Sequence, residues 1–273
     1  MTIIHVPEQT LNLENGNTSI NFEVKSIPMH LPQTNYPLGK GILIWNLDSN
    51  YLSTVDKLVG LNIKWVSVKV VNAVNAYNSV YIKQFIVECR RAGIDVWGWG
   101  YSFGVNPANE GLQTAKIIND LDISGYFMDI EGEYDRVDML STAQAYTNNL
   151  KPNTQKPLGL CSYRYPSLHT NVPWKTFLDI SDFHIPQLYW IQATSDIAPG
   201  YQLGRSYIQL QAIKQLPFIP IGTVVKDDGS LWIPSVAQIT NFGNTVKQMN
   251  LPGFGYYDLD SGIQNLLDVV KGQ

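Results

Sequence analysis

The chain has 273 residues, a formal net charge of −4, 44% hydrophobic residues and only 15% charged ones. That length accommodates one large α/β barrel or two ordinary domains, and the apolar share supplies a sizeable core. The acidic balance, with no basic stripe, argues against a nucleic-acid partner and an anionic membrane surface, and no apolar run reaches the ~18 residues that span a bilayer.

Residues 1–38 differ from the rest. Pro7, Pro28, Pro32 and Pro37 interrupt them, and Asn15-Gly16-Asn17 reads as a hairpin turn between two alternating flanks, 10–13 and 19–24. This predicts a short N-terminal β extension that packs on the main domain or contacts another protein. No basic segment followed by an apolar run opens the chain, so no Sec-type signal peptide is expected. The expectation is a soluble protein, cytoplasmic until released or carried on an assembly such as a phage.

From Gly39 the pattern becomes regular. Apolar, β-rich runs at 41–48, 64–71, 94–101, 124–131, 157–163, 184–190, 218–225 and 253–259 alternate with amphipathic stretches. Those stretches fall at 51–61, 79–92, 108–121, 137–150, 173–180, 200–215, 235–249 and 262–271. Ser79 and Asn106-Pro107 are helix starts and Gly93 a helix stop, while Ile82, Phe85, Ile86 and Cys89 share one helical face. Apolar strands alternating with helices imply parallel pairing with helices outside. Eight such units over residues 39–273 predict a single (β/α)8 TIM barrel. An open doubly wound sheet lacks its usual mark here, because bulky aromatics break up Gly98-Trp99-Gly100 and no Gly-rich phosphate loop follows a strand.

In such a barrel the site lies at the carboxyl ends of the strands. The first strand offers Asn46 and Asp48, the second Lys69, and the third Trp97, Trp99 and Tyr101. The fourth offers Asp129 and Glu131, with Glu133 and Asp135 in the loop beyond. The fifth ends at Tyr163 and Arg164, the sixth at Gln187, Tyr189 and Trp190, the seventh near Thr223, and the eighth at Tyr257, Asp258 and Asp260. Asp129 and Glu131, two apart, point to the same face with Cα atoms roughly 6–7 Å apart. Close acids push each other's pKa apart, leaving one protonated and one charged, as glycoside hydrolysis requires. Here Glu131 is expected to hold the proton beside a charged Asp129, with Asp48 or Asp258 as a further catalytic carboxylate. Trp97, Trp99, Tyr101, Lys69, Arg164, Gln187, Tyr189 and Trp190 are the expected walls for an oligo- or polysaccharide, with rings for sugar faces and polar groups for hydroxyls.

Each residue also has a plainer use. Asp48 suits the N-cap of the first helix and Asp258 or Asp260 that of the last. Lys69 and Arg164 suit neutralisation of the acids, Trp97 and Trp99 barrel filling, and Asp135 a helix cap. The four histidines, His5, His30, His169 and His184, have no metal-ligand spacing; no cofactor is expected, and a metal bound by carboxylates alone is the lesser alternative to a metal-free acid pair. Cys89 and Cys161 read as free, buried thiols.

At Phe127-Met128-Asp129-Ile130-Glu131 the chain resembles the muramidase-type lysozymes of glycoside hydrolase family 25. Val66-Ser67-Val68-Lys69, Gly98-Trp99-Gly100-Tyr101-Ser102-Phe103 and Gln187-Leu188-Tyr189 are similar to their second, third and sixth strands. The resemblance implies a barrel with Asp-x-Glu ending its fourth strand, Glu131 as general acid, and Asp129 stabilising positive charge or orienting a substrate acetamide. It also implies cleavage of a β-linked, N-acetylated glycan, with cell-wall peptidoglycan favoured. Ser102 stands where that family often has His. More distantly the chain resembles family 18 chitinases through Asp129, Glu131 and Tyr189, with Phe127 in the place of their earlier Asp. The alternative expectation is a non-catalytic, carbohydrate-binding or structural barrel of a phage or other assembly.

Overall fold

The structure, a computed structural model, describes residues 34–227 and 229–273. The expected turn at Asn15-Gly16-Asn17 and its flanking strands lie outside the described residues. The elements run β1 (Gly39–Ile44), α1 (Tyr51–Gly60), β2 (Trp65–Asn72), β3 (Asn75–Ala76), α2 (Ile82–Arg91), β4 (Asp95–Tyr101), α3 (Pro107–Asn119), β5 (Tyr126–Asp129) and α4 (Leu140–Leu150). They continue β6 (Leu158–Tyr163), α5 (Trp174–Asp179), β7 (Phe183–Gln187), α6 (Ala198–Ile213), β8 (Ile221–Thr223), α7 (Val236–Gln248), β9 (Gly253–Tyr257) and α8 (Gln264–Lys271). The strand order β1-β9-β8-β7-β6-β5-β4-β2 closes through β1–β2, every neighbour parallel, and β3 is a two-residue strand antiparallel to the end of β2. The chain is a TIM barrel.

Local chemistry accounts for several boundaries. Pro107 occupies the first turn of α3, where its missing N–H costs nothing. Ser235 and Gln238 form a reciprocal capping box on α7. Gly93, at φ +73°, ends α2 in the left-handed region, its N–H bonded to the Arg90 carbonyl. β8 is shorter than expected because Pro217 and Pro220 have no N–H for the ladder; only their carbonyls are used, by His184 and Gly255. No helix among the described residues is long and apolar enough to cross a membrane.

The strands bury both faces. Even-numbered side chains such as Ile42, Val66, Val68, Val96, Tyr126, Met128 and Leu160 pack outward under the helices. The barrel interior holds odd-numbered ones: Leu43, Trp65, Trp97, Trp99, Phe127, Cys161, Phe183, Ile185, Ile219 and Ile221. Large rings face glycines. A Cβ on Gly159 would lie 2.1 Å from the Phe183 ring, and one on Gly41 2.0 Å from the Trp65 ring. This large-against-small filling makes the barrel a solid core below its mouth.

Candidate active site at the barrel mouth

The mouth opens above that core as a cavity of about 320 Å³. Its walls are Leu43, Trp45, Trp99, Tyr101, Asp129, Glu131, Cys161, Gln187, Tyr189 and Tyr257. All ten are odd-numbered, which is the inward parity of the strands. β5 ends at Asp129, two residues earlier than expected, but the Ile130 N–H still bonds the Cys161 carbonyl at 2.9 Å. The extended path therefore persists long enough to bring Glu131 to the face of Asp129, before the turn closed by Tyr134 N–H on the Glu131 carbonyl.

The two carboxylates share a donor. Gln187 Nε2 bonds Asp129 Oδ1 at 2.9 Å and Glu131 Oε1 at 2.6 Å, and lies 3.6 Å from Cys161 Sγ. Asp129 is 6% exposed and Glu131 half-buried. Burial, the neighbouring charge of Glu131 and a hydrogen bond with it push the Asp129 pKa well above the usual carboxylate range, opposed by Lys69. Asp129 is the deeper acid and pays the larger desolvation cost for carrying charge.

Lys69 is buried and does not line the cavity. Its Nζ lies among the Trp45, Tyr77 and Trp99 rings, 3.9, 4.9 and 5.1 Å from their centroids. Burial lowers its pKa, and the charge of Asp129 raises it. Lys69 thus acts on Asp129 at a distance and braces the aromatic wall. Trp99 donates to the Ile44 carbonyl at 3.0 Å, and Tyr101 donates to Glu133, so Glu133 is not a freely solvated charge.

Other expected site residues lie elsewhere. Trp97 points inward but one layer too deep, fully buried against Phe127 and Phe183. Trp190, of the outward parity, packs on Phe242 under α7. Asp48 is exposed in the loop after β1, accepting from Asn50 N–H at 2.8 Å. Asp258 is buried away from the mouth and accepts from the Ser261 N–H and hydroxyl. Neither aspartate reaches the cavity. Asp135 caps no helix; it pairs with His169 Nδ1 at 2.8 Å, and His169 stacks on Tyr163. Arg164 lines a second cavity of about 300 Å³, between the ends of β6 and β7, which shares Gln187 and Tyr189 with the first. A third of about 290 Å³ adjoins through Tyr189 and Tyr257.

Sequence reasoning overlooked Trp45, whose parity with Leu43 was the available signal. The backbone of Trp45 and Asn46 is pinned by Asp260, which accepts both N–H groups at 2.8 and 2.7 Å. It also overlooked Glu110, 1% exposed, whose carboxylate collects the N–H groups of residues 103–106 and the Ser102 hydroxyl, fixing the loop beside Tyr101. Among the described residues no group of three or more His, Cys, Asp or Glu side chains is gathered as a metal site requires.

No family model and no characterised protein matches the chain by sequence. Solved structures do match its fold. A chitinase from Bacteroides thetaiotaomicron aligns with a TM-score of 0.65 at 10% identity, over 86% of this chain and 95% of that one. An endo-1,4-β-D-mannanase from Thermotoga petrophila aligns at 0.63 and 12% identity, over 83% and 89%. The spore cortex-lytic enzyme of Bacillus cereus aligns at 0.60 and 8% identity, over 85% and 73%. At these identities the likeness is one of fold.

Proposed function

We propose that the protein is a glycoside hydrolase acting on a β-linked, N-acetylated glycan, with cell-wall peptidoglycan the favoured substrate. The observation that carries this reading is the carboxylate pair Asp129 and Glu131 at the carboxyl end of β5, joined by Gln187 and opening on an aromatic-walled cavity at the barrel mouth. The barrels it resembles in fold, which include chitinases and a cortex-lytic enzyme, support it.

Burial and the charge of Glu131 favour a proton on Asp129. Glu131, nearer the cavity, receives that proton and delivers it to the leaving glycosidic oxygen, while Asp129, now charged, stabilises the positive charge that grows on the sugar. Lys69 limits the cost of that charge. Among the described residues, Asp129 and Glu131 are the carboxylates lining the cavity, so the attacking group comes from the substrate's own acetamide, with Tyr189 and Tyr257 beside it, or from water. An acetamide nucleophile is what ties the reading to N-acetylated sugars.

Glu131→Gln keeps the shape of the side chain and removes the proton carrier. It is expected to abolish clearing of a turbid cell-wall suspension while circular dichroism and thermal midpoint stay those of the parent. Undiminished clearing by this variant sinks the mechanism. Binding without clearing by both proteins would make the barrel a carbohydrate-binding module instead.

A further inference from the structure

We propose that the cavity between the ends of β6 and β7 is a subsite for a sugar unit bearing a carboxylate, read by Arg164; this rests on the glycan reading given above. The cavity is walled by Tyr163, Arg164, Tyr165, Leu168, His169, Gln187, Tyr189 and Ile191. It holds one guanidinium and no acid, whereas the central cavity holds two acids and no lysine or arginine. Because the two share Gln187 and Tyr189, a unit bound here neighbours the unit at the acid pair.

The partners of Arg164 are neutral. Its Nη1 donates to the Tyr189 carbonyl at 2.6 Å, its guanidinium lies 5.3 Å from the Tyr165 ring centre, and the Tyr165 hydroxyl is close enough to feel its charge. Its Nε–H is buried with no partner, and no ion pair among the described residues includes Arg164. Arg205 covers the same Tyr165 ring at 4.1 Å and likewise belongs to no ion pair among those residues. Asp135, which pairs with the wall residue His169, is taken by it. A half-buried guanidinium that lines a cavity without an acid partner suits an anion there, and a planar carboxylate fits the fork of its terminal nitrogens. The Tyr163 and Tyr189 rings supply flat faces for the sugar carrying that group.

The test compares peptide-free cell-wall glycan, whose lactyl carboxylates are free, with the same glycan after reduction of those carboxylates to alcohols. Binding is measured by calorimetry on the Glu131→Gln protein, which holds the chain uncut, and cleavage on the parent. The acidic glycan is expected to bind about tenfold or more tightly than the reduced one, the span of one charge-assisted hydrogen bond. Adding Arg164→Gln is expected to bring that ratio close to one, with Arg164→Lys between. A ratio near one before Arg164 is changed, or a ratio that survives Arg164→Gln, overturns the proposal; so does tighter binding of a phosphate-substituted glycan. If Arg164→Gln does not fold, the ratio in the Arg164→Lys protein decides, an unchanged ratio counting against. Should the parent cleave neither glycan, the hydrolase reading fails while the binding ratio still decides the role of Arg164.

Discussion

Gln187 is the residue through which the two acids at the end of β5 and just beyond it act as one unit. Its single amide nitrogen serves both carboxylates, so its loss lets them separate or repel. Gln187→Leu is expected to lower kcat/KM by about ten- to a hundredfold, the range of a hydrogen bond to a charged group, with the thermal midpoint little changed. A steady-state comparison with the parent checks it. Asp129 carries a pH signature of its own. Its pKa is raised on folding, so its contribution to stability is complete below the unfolded value near 4 and is lost as pH rises through the folded value. The parent is therefore expected to lose stability on going up through that window, and Asp129→Asn to lose less; denaturant melts across the pH range read the difference. Asp129, Glu131, Tyr101 and Gln187 were legible in the sequence because their places at strand ends and their parity agree. Asp48 and Asp258 misled because proximity to a strand end is not enough: one belongs to a solvated turn, and the other has the parity that points away. The upward push on the Asp129 pKa was not legible, since it depends on a depth of burial set by the opposite wall.

At the level of the element, side-chain parity sorts the barrel. The β2 ladder to β4 slips between Lys69 and Val71, and Val71 accordingly joins the outward core despite its odd number. That bulge sits one step past Lys69 and leaves the lysine inside. The strand and helix list was legible because each strand is a compact apolar run and each helix shows one buried face, as in α2, where Ile82, Phe85, Ile86 and Cys89 are all buried as expected. β3 was not, since two residues carry no periodicity. The facing of rings by glycines was also hidden, because contact between β6 and β7 is a matter of register. It gives a sharp expectation: Gly159→Ala overpacks against Phe183 and costs about 1–3 kcal/mol, while Phe183→Leu added to it restores part of the loss. Urea midpoints of the two single variants and the double variant form the check, and strict additivity would deny the contact.

For the molecule as a whole, closure depends on both ends of the barrel sequence meeting. β1 pairs with β2 on one side and β9 on the other, so the first strand is the keystone of the sheet. Lys40, on its outward face, reaches the last helix, where Nζ donates to the carbonyls of Val270 and Lys271 at 2.6 and 3.2 Å. A cation there also suits the negative end of the α8 dipole. Burial and the nearby Lys64 and Lys247 lower its pKa to about 8. Lys40→Met is expected to release α8, with faster amide exchange over 264–271 and a thermal midpoint lower by about 2–4 °C for each kcal/mol lost. Exchange mass spectrometry localises the effect, and unaltered protection of that helix would refute the latch.

Tyr189 belongs to the walls of all three hollows at the rim. On the glycan reading proposed above, a polymer threaded across the protein would bend around this one phenol, a partition between compartments. Trimming it to alanine would merge them into a single trench and, on that reading, widen the spread of fragment lengths released from the glycan.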